Sequence, residues 1–258
     1  MITKKIHYII DESIEDKSFK KNLLKNKTNY NLKDSDAIVV VGGDGFMLEV
    51  LKKFYKYKKP FYGMNKGTFG FLMNKFRLQN IEKIISKSEL VTISPLQAEI
   101  TTKNRKKVLA YAINDVSLFR QSRQTSSLQI LSKRRIIIKK LVSDGVLVST
   151  PAGSTAYNLS IHGPILSIKS KKIAVTPISP FRPRRWKGKI LPSSQIVKII
   201  NLNTKKRPVS VVADNYEVRN IKNVTIKTNN TIKFKLLYDK NNSLTKKIKL
   251  EQLRKQII

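Results

Sequence analysis

Gly42-Gly43-Asp44-Gly45 sets one carboxylate among three glycines, directly after the apolar run Ala37 to Val41. It directly precedes Phe46 to Tyr55, where apolar residues recur at helical spacing. Such a turn aims the free backbone N–H groups of a helix start at an anion, and the glycines let the anion come close. Asp44 is the exception that asks for a role. A carboxylate beside a phosphate site repels it unless it accepts a proton from an attacking hydroxyl or holds a metal that bridges phosphates. Capping of the helix is the plainer alternative. A second stretch, VSDGVLVSTPAGSTAYNLSIHGPIL (residues 142–166), packs turn formers, hydroxyls and a carboxylate between two apolar runs, a composition suited to a polar ligand. Pro151 and Gly153 shape a turn, Ser154 or Thr155 can cap a following helix, and Tyr157 and Ser160, three apart, share a face. A third is Asn114-Asp115 in AYAINDVSLFR, a polar pair inside an apolar strand. Buried polar groups need partners, and a β-bulge or turn is the alternative.

Several routes are excluded. The chain has no G-x-x-x-x-G-K-[ST] loop and no G-x-G-x-x-G fingerprint. His7 and His162 are the only histidines, which argues against a histidine metal cluster or a histidine-based triad, and His162 reads as a turn or packing residue. With no cysteine, disulfides and thiolate metal sites are impossible; the usage suits a reducing compartment, and the cytoplasm is the expected location. The N-terminal apolar run in MITKKIHYIIDES is too short for a secretory signal and meets Asp11 and Glu12 at once. No apolar stretch approaches the roughly 20 residues that span a bilayer, so no membrane partner is expected. The formal charge of +35, from 52 Lys and Arg against 17 acids, would ordinarily suggest nucleic acid. Basic residues are instead spread along the whole length, from Lys20-Lys21 to Lys246-Lys247, and form no single footprint. A solvated surface and anionic substrates explain them better, and no specific nucleic acid is expected.

The elements that must carry these residues follow an α/β order first. KIHYII reads as a strand, Glu15 to Lys25 as a polar helix, AIVVV as a buried strand, and Gln79 to Lys87 as a helix with Ile81, Ile84 and Ile85 on one face. PFYGMNKGTFGFL mixes an apolar strand with three glycines, and Pro95 marks a boundary. Beyond it come strands, many with period-two alternation and turn residues between them. The fold class expected is an α/β, Rossmann-like N-terminal domain (1–96) with the glycine turn, and a β-rich, sandwich-like C-terminal domain (97–240). A tail (241–258) is expected as a short helix or strand that returns to the first domain.

GGDG also occurs in lipid kinases of the diacylglycerol kinase type, which leaves two enzyme classes open. The segment SDGVLVSTPAGSTAYNLSIHGPIL separates them, because it resembles the NAD kinase pattern of Asp-Gly, a short strand, then Thr-Pro-x-Gly-Ser-Thr-Ala-Tyr. GMNKGTFGFL is similar to that family's Gly-x-Asn-x-Gly-x-x-Gly-Phe-Leu, and TPISPFRPRRW looks like the alphaproteobacterial version of its region. Departures are Asp115 where Glu is usual, Phe46 and Ala152 where Thr is common, and Asp214-Asn215 where Asp-Gly is frequent. The resemblance implies phosphoryl transfer from ATP, or polyphosphate, to the 2′-hydroxyl of the adenosine ribose of NAD, giving NADP. Asp44 would be the catalytic base. Asp44, Gly45, Phe71, Asn114, Asp115, Asp144, Ala152, Ser154, Thr155, Ala156, Tyr157, Asn158, Leu159 and Ser160 would bind NAD. Gly42, Gly43 and Gly45 would face the donor phosphates. A divalent cation, Mg²⁺, would be held mainly by those phosphates rather than by protein ligands. A homodimer or homotetramer would be the working form. The competing readings are a basic protein that binds nucleic acid or an anionic surface with a decayed kinase site, and a GGDG lipid kinase.

Overall fold

The computed structural model describes residues 5–14, 29–67, 70–77, 79–133, 135–240 and 246–249. The polar helix expected at Glu15 to Lys25 and the tail at Leu250 to Ile258 lie outside them. The chain divides into two units, one formed by Met1–Ile93 with Ile232–Ile258, the other by Ser94–Thr231.

In the first unit, Ile6–Ile10, Ala37–Gly42, Phe61–Asn65 and Phe234–Tyr238 are neighbouring parallel strands, and Glu89–Ile93 closes one edge antiparallel. Every residue of Ala37–Gly42 is buried, as its unbroken apolar run requires of a parallel strand covered on both faces. One face packs Ala37, Val39 and Val41 with Tyr8, Tyr62, Met64 and the helical Ile81 and Ile85. The helix after the glycine turn runs Asp44–Phe54 and buries Met47, Leu48, Val50 and Leu51, the spacing of one helical stripe.

Phe234–Tyr238 corrects the expected division. The sequence pattern places residues 232–240 in the β-rich domain, yet this strand pairs with Phe61–Asn65 and Glu89–Ile93 in the first sheet. A short apolar strand carries no local mark of its partner, and the sheet edge left open beside Phe61–Asn65 selects it.

The second unit holds two six-stranded antiparallel sheets. Their inward residues, among them Leu96, Ile130, Leu141 and Val224 from one and Val116, Val146, Val175 and Val211 from the other, form one core. That is a β-sandwich-like arrangement, as the period-two strands predict. The chain passes from one sheet to the other at Asp144, between Arg135–Ser143 and Gly145–Ser149. Gly145 is obligatory at this crossing, since a Cβ there would lie 1.8 Å from the carbonyl oxygen of Leu118.

Candidate active site

Asp44 does not cap its helix. Gly43 is the N-cap residue and no side chain caps the end. The carboxylate turns instead to a segment of the GMNKGTFGFL motif: Oδ2 accepts the backbone N–H of Phe71 at 2.7 Å and Oδ1 that of Leu72 at 3.0 Å. Gly70 makes the approach possible, because a Cβ at that position would lie 2.8 Å from Asp44 Oδ1. Burial pushes the proton affinity of Asp44 up, while the Phe71 and Leu72 amides and the positive charge of Lys247 pull it down; the balance stays above the ordinary aspartate value. A half-buried charge, held in place and biased toward taking a proton, is the physical signature of a functional carboxylate. Around Gly43 and Gly45 a Cβ would meet nothing within 4 Å, so the turn faces open space at the positively polarised end of an 11-residue helix. Gly42 differs. Its Cβ would meet Phe46 at 2.9 Å and Asp11 at 3.1 Å, so that glycine answers to packing.

In the second unit three sequence-distant segments converge. The carboxylate of Asp214 accepts three successive backbone N–H groups, from Ile113 at 2.8 Å, Asn114 at 2.9 Å and Asp115 at 3.3 Å. Asp214 sits in the turn between Val209–Ala213 and Tyr216–Val218 with φ of 54°, a left-handed conformation that Asp tolerates better than most residues. Thr150 ties in the third segment: its hydroxyl donates to the Ile113 carbonyl at 2.7 Å and accepts from the Gly153 N–H at 3.0 Å. Asn114-Asp115 is therefore no bulge: it lies where the chain turns from the strand Lys107–Ala112 into the strand Asp115–Arg120 of the other sheet, and the turn is fixed from two sides. Asp115 is buried there. We predict that Asp214→Asn, which keeps the left-handed turn but sets an NH₂ against a backbone donor, costs about 1–3 kcal/mol. Urea unfolding should show it as a lower midpoint with an unchanged slope.

The other expected residues divide into two groups. Tyr157 lies against Phe119, ring centroids 5.8 Å apart, and its hydroxyl is pushed up by partial burial and by the charges of Asp115 and Asp144. Those three polar side chains thus face one region. Asp144 pairs with Arg120, both about a third exposed. Thr155 is buried, and its hydroxyl has no hydrogen-bond partner among the described residues. Ala152 is buried, Ala156 and Leu159 half-buried, and Ser160 exposed.

Ser154 and Asn158 are used by the loop itself. The Ser154 hydroxyl donates to Pro151 at 2.7 Å and accepts from the Leu166 N–H at 3.0 Å, and the residue is fully buried. Asn158 donates to the Pro164 carbonyl at 2.9 Å and accepts from the Thr176 hydroxyl at 2.7 Å, also with no exposure. Neither Ser154 nor Thr155 caps a helix, and Gly153–Thr155 is a single 3₁₀ turn without a side-chain cap. The two histidines are structural: His7 Nδ1 bonds the Tyr30 carbonyl at 2.8 Å, and His162 holds a left-handed turn.

Sequence reasoning missed Gly70, Leu72, Thr150, Asp214 and Arg120 as parts of these clusters. The departure at Asp214-Asn215 was visible, and a two-residue Asp-Asn loop between alternating strands is a hairpin signal; which amides its carboxylate would reach was not.

A glycine turn with a held, proton-seeking carboxylate at a helix start in one unit, and a polar loop on a β-sandwich-like unit in the other, are the parts of a nucleotide-handling phosphotransferase. The comparisons with known proteins make this specific. The ATP-NAD kinase N-terminal domain matches residues 5–89 and the ATP-NAD kinase C-terminal domain residues 113–236. The chain is 44% identical over 249 residues to a NAD kinase of Brucella suis, covering 96% of this chain and 97% of that protein. It is 47% identical over 227 residues to a NAD kinase of Zymomonas mobilis, covering 87% and 88%. In fold it is similar to a yeast NADH kinase solved in complex with NADH (TM-score 0.78, 19% identity, 97% of this chain and 87% of that one). It is also similar to an Archaeoglobus fulgidus NAD kinase solved with ATP (TM-score 0.73, 22% identity, 95% and 98%). The chain belongs to the NAD kinase family, and its activity is that of a NAD kinase, a phosphotransferase. The basic binding protein and the lipid kinase are not favoured.

Proposed function

We propose that the acceptor atom is the 2′-hydroxyl of the adenosine ribose of NAD, that ATP is the donor, and that Asp44 is the general base. The observation that carries this reading is the Asp44 carboxylate, half-buried at the glycine turn, gripped by the Phe71 and Leu72 amides and raised in proton affinity. In the step, Asp44 takes the hydroxyl proton as the ribose oxygen forms its bond to the γ-phosphorus. The bond from that phosphorus to the β–γ bridging oxygen breaks, and ADP leaves with the electron pair. Positioning and charge neutralisation dominate such a transfer. The open helix start at Gly43 and Gly45 suits donor phosphates, with Gly42 shaping the turn from behind. ATP is supported by the Archaeoglobus fulgidus relative, solved with it; polyphosphate is the alternative donor.

On the acceptor side, Asn114, Asp115, Thr155, Ala156 and Tyr157 hold the adenosine half, and the Thr155 hydroxyl, without a hydrogen-bond partner among the described residues, is the group most in need of such a ligand. Asp144 takes the other half. Ala152, Leu159 and Ser160 of the same loop are assigned to the acceptor as well, as are Gly45 and Phe71 of the first unit, while Ser154 and Asn158 support the loop through the bonds they make within it. Among the described residues no three His, Cys, Asp or Glu side chains form a metal cage. A divalent cation, Mg²⁺, carried on phosphate oxygens and water would neutralise the donor's charge. The first unit, about residues 1–96 with the returning strand, is then the donor-binding domain, and the second binds NAD. A homodimer or homotetramer acting on NAD in the cytoplasm completes the reading; among the described residues no helix is long and apolar enough to cross a membrane.

A coupled assay for NADP formation from NAD, ATP and Mg²⁺ tests it. NADP is the expected product. A product phosphorylated elsewhere on the dinucleotide overturns the acceptor assignment, and turnover with polyphosphate but not ATP overturns the donor.

A further inference from the structure

The grip on Asp44 has a far side. The peptide group joining Gly70 to Phe71 gives its N–H to Asp44, and its carbonyl oxygen accepts from Lys247 Nζ at 2.8 Å. The next peptide group, joining Phe71 to Leu72, does the same: its N–H goes to Asp44 and its carbonyl accepts from Lys247 at 3.3 Å. The Tyr238 hydroxyl donates to that carbonyl too, at 3.4 Å. A third bond joins Lys247 to the Met73 carbonyl. Three N–H groups of the ammonium thus meet three backbone acceptors, which satisfies the side chain completely in a partly buried setting.

An ammonium and a carboxylate therefore stand at opposite ends of the same two peptide groups. Each peptide dipole lies in series between them, so the positive charge polarises the N–H bonds that hold Asp44, and each hydrogen bond strengthens the next. We propose that Lys247 is a positioning residue for phosphoryl transfer: through the Gly70–Phe71 and Phe71–Leu72 peptide groups it fixes Asp44 and opposes the burial that would neutralise it. The proposal rests on the reading of Asp44 as general base. Burial pulls Lys247 itself down to about 8, against the attraction of Asp44 and Asp239. At neutral pH it still carries the charge the relay needs. Among the described residues, Asp44, Asp239 and Tyr238 are the titratable groups that face it. Asp239 accepts the Tyr62 hydroxyl at 2.8 Å, and burial keeps the Tyr238 phenol protonated throughout the range concerned.

Without the ammonium, the weakened amides leave Asp44 easier to protonate. Lys247→Met is expected to move the acid limb of the kcat profile upward by about one pH unit, a loss of about tenfold in kcat on that limb. KM for NAD should stay unchanged. Lys247→Arg, which keeps the charge, should return the limb toward its wild-type position. A limb that stays in place in Lys247→Met, or a kcat lost equally at every pH with Arg giving no recovery, overturns the proposal. If the Met variant does not fold, by circular dichroism, Lys247→Gln decides: a limb moved upward supports the relay and a limb at the wild-type position overturns it. Asp44→Asn is assayed alongside. Near-normal turnover in that variant defeats the general-base reading itself, whereas lost turnover with an unmoved Lys247→Met limb defeats the relay alone.

Discussion

Asp44→Asn should lower kcat by about 10²- to 10⁴-fold, the usual contribution of a positioned general base, while leaving NAD binding near that of the unaltered enzyme. The substitution conserves shape, and one of the two backbone donors at Phe71 and Leu72 still finds an oxygen. What is lost is the capacity to take a proton. The measurement is kcat from the coupled assay together with calorimetric NAD affinity; near-normal kcat would remove Asp44 from the proton transfer. The same variant has a stability signature whose sign follows from linkage. Burial raises the folded-state proton affinity of Asp44 above that of the unfolded chain, so its favourable contribution is complete at low pH and is lost as pH rises through the folded value. Asn does not titrate. The stability of Asp44→Asn relative to wild type should therefore increase as pH climbs from about 4 toward neutrality. Urea unfolding at a series of pH values reads that trend directly, and a difference independent of pH would mean the carboxylate is not perturbed.

Gly153→Ala is the second large effect expected, and it acts on structure. A Cβ at Gly153 would lie 2.1 Å from the carbonyl oxygen of Asn114 and 2.4 Å from its carbonyl carbon, and backbone cannot swing aside as a flexible side chain does. The clash displaces the 113–115 entrance or the 150–153 turn. Either movement strains the Thr150 bonds to Ile113 and Gly153 and the amides held by Asp214. Overpacking of this kind costs about 3 kcal/mol or more, which for a chain of this size lowers Tm by about 6–12 °C. KM for NAD should rise by about tenfold or more, since a misplacement of this order disrupts the bound geometry. A thermal melt and the KM of the folded fraction check the two consequences, and a wild-type Tm would show that the turn has room to yield.

What was legible in the chain was local. Five consecutive apolar residues, Ala37 to Val41, specify a strand covered on both faces, and the stripe Met47, Leu48, Val50 and Leu51 specifies the helix that follows. Period-two strands beyond Pro95 give a sandwich-like unit, and the GGDG turn with the STPAGSTAY segment points to phosphotransfer to a dinucleotide. Neighbouring residues set these features, so their order along the chain suffices to read them. The tertiary structure alone decided which distant groups meet. Phe234–Tyr238 looks like any apolar strand until an open edge in the first sheet claims it. Ser154 and Asn158 sit in the motif with the same polar character as Thr155, but their atoms are consumed by Leu166, Pro164 and Thr176. Asp214 and Lys247 act through backbone amides and carbonyls, which every residue carries and no sequence pattern distinguishes. Their partners lie about a hundred positions away or farther, where no helical or strand period reaches. The carboxylate proposed as the base is written in the chain; the peptide groups and charges that hold it come together only when the chain has folded.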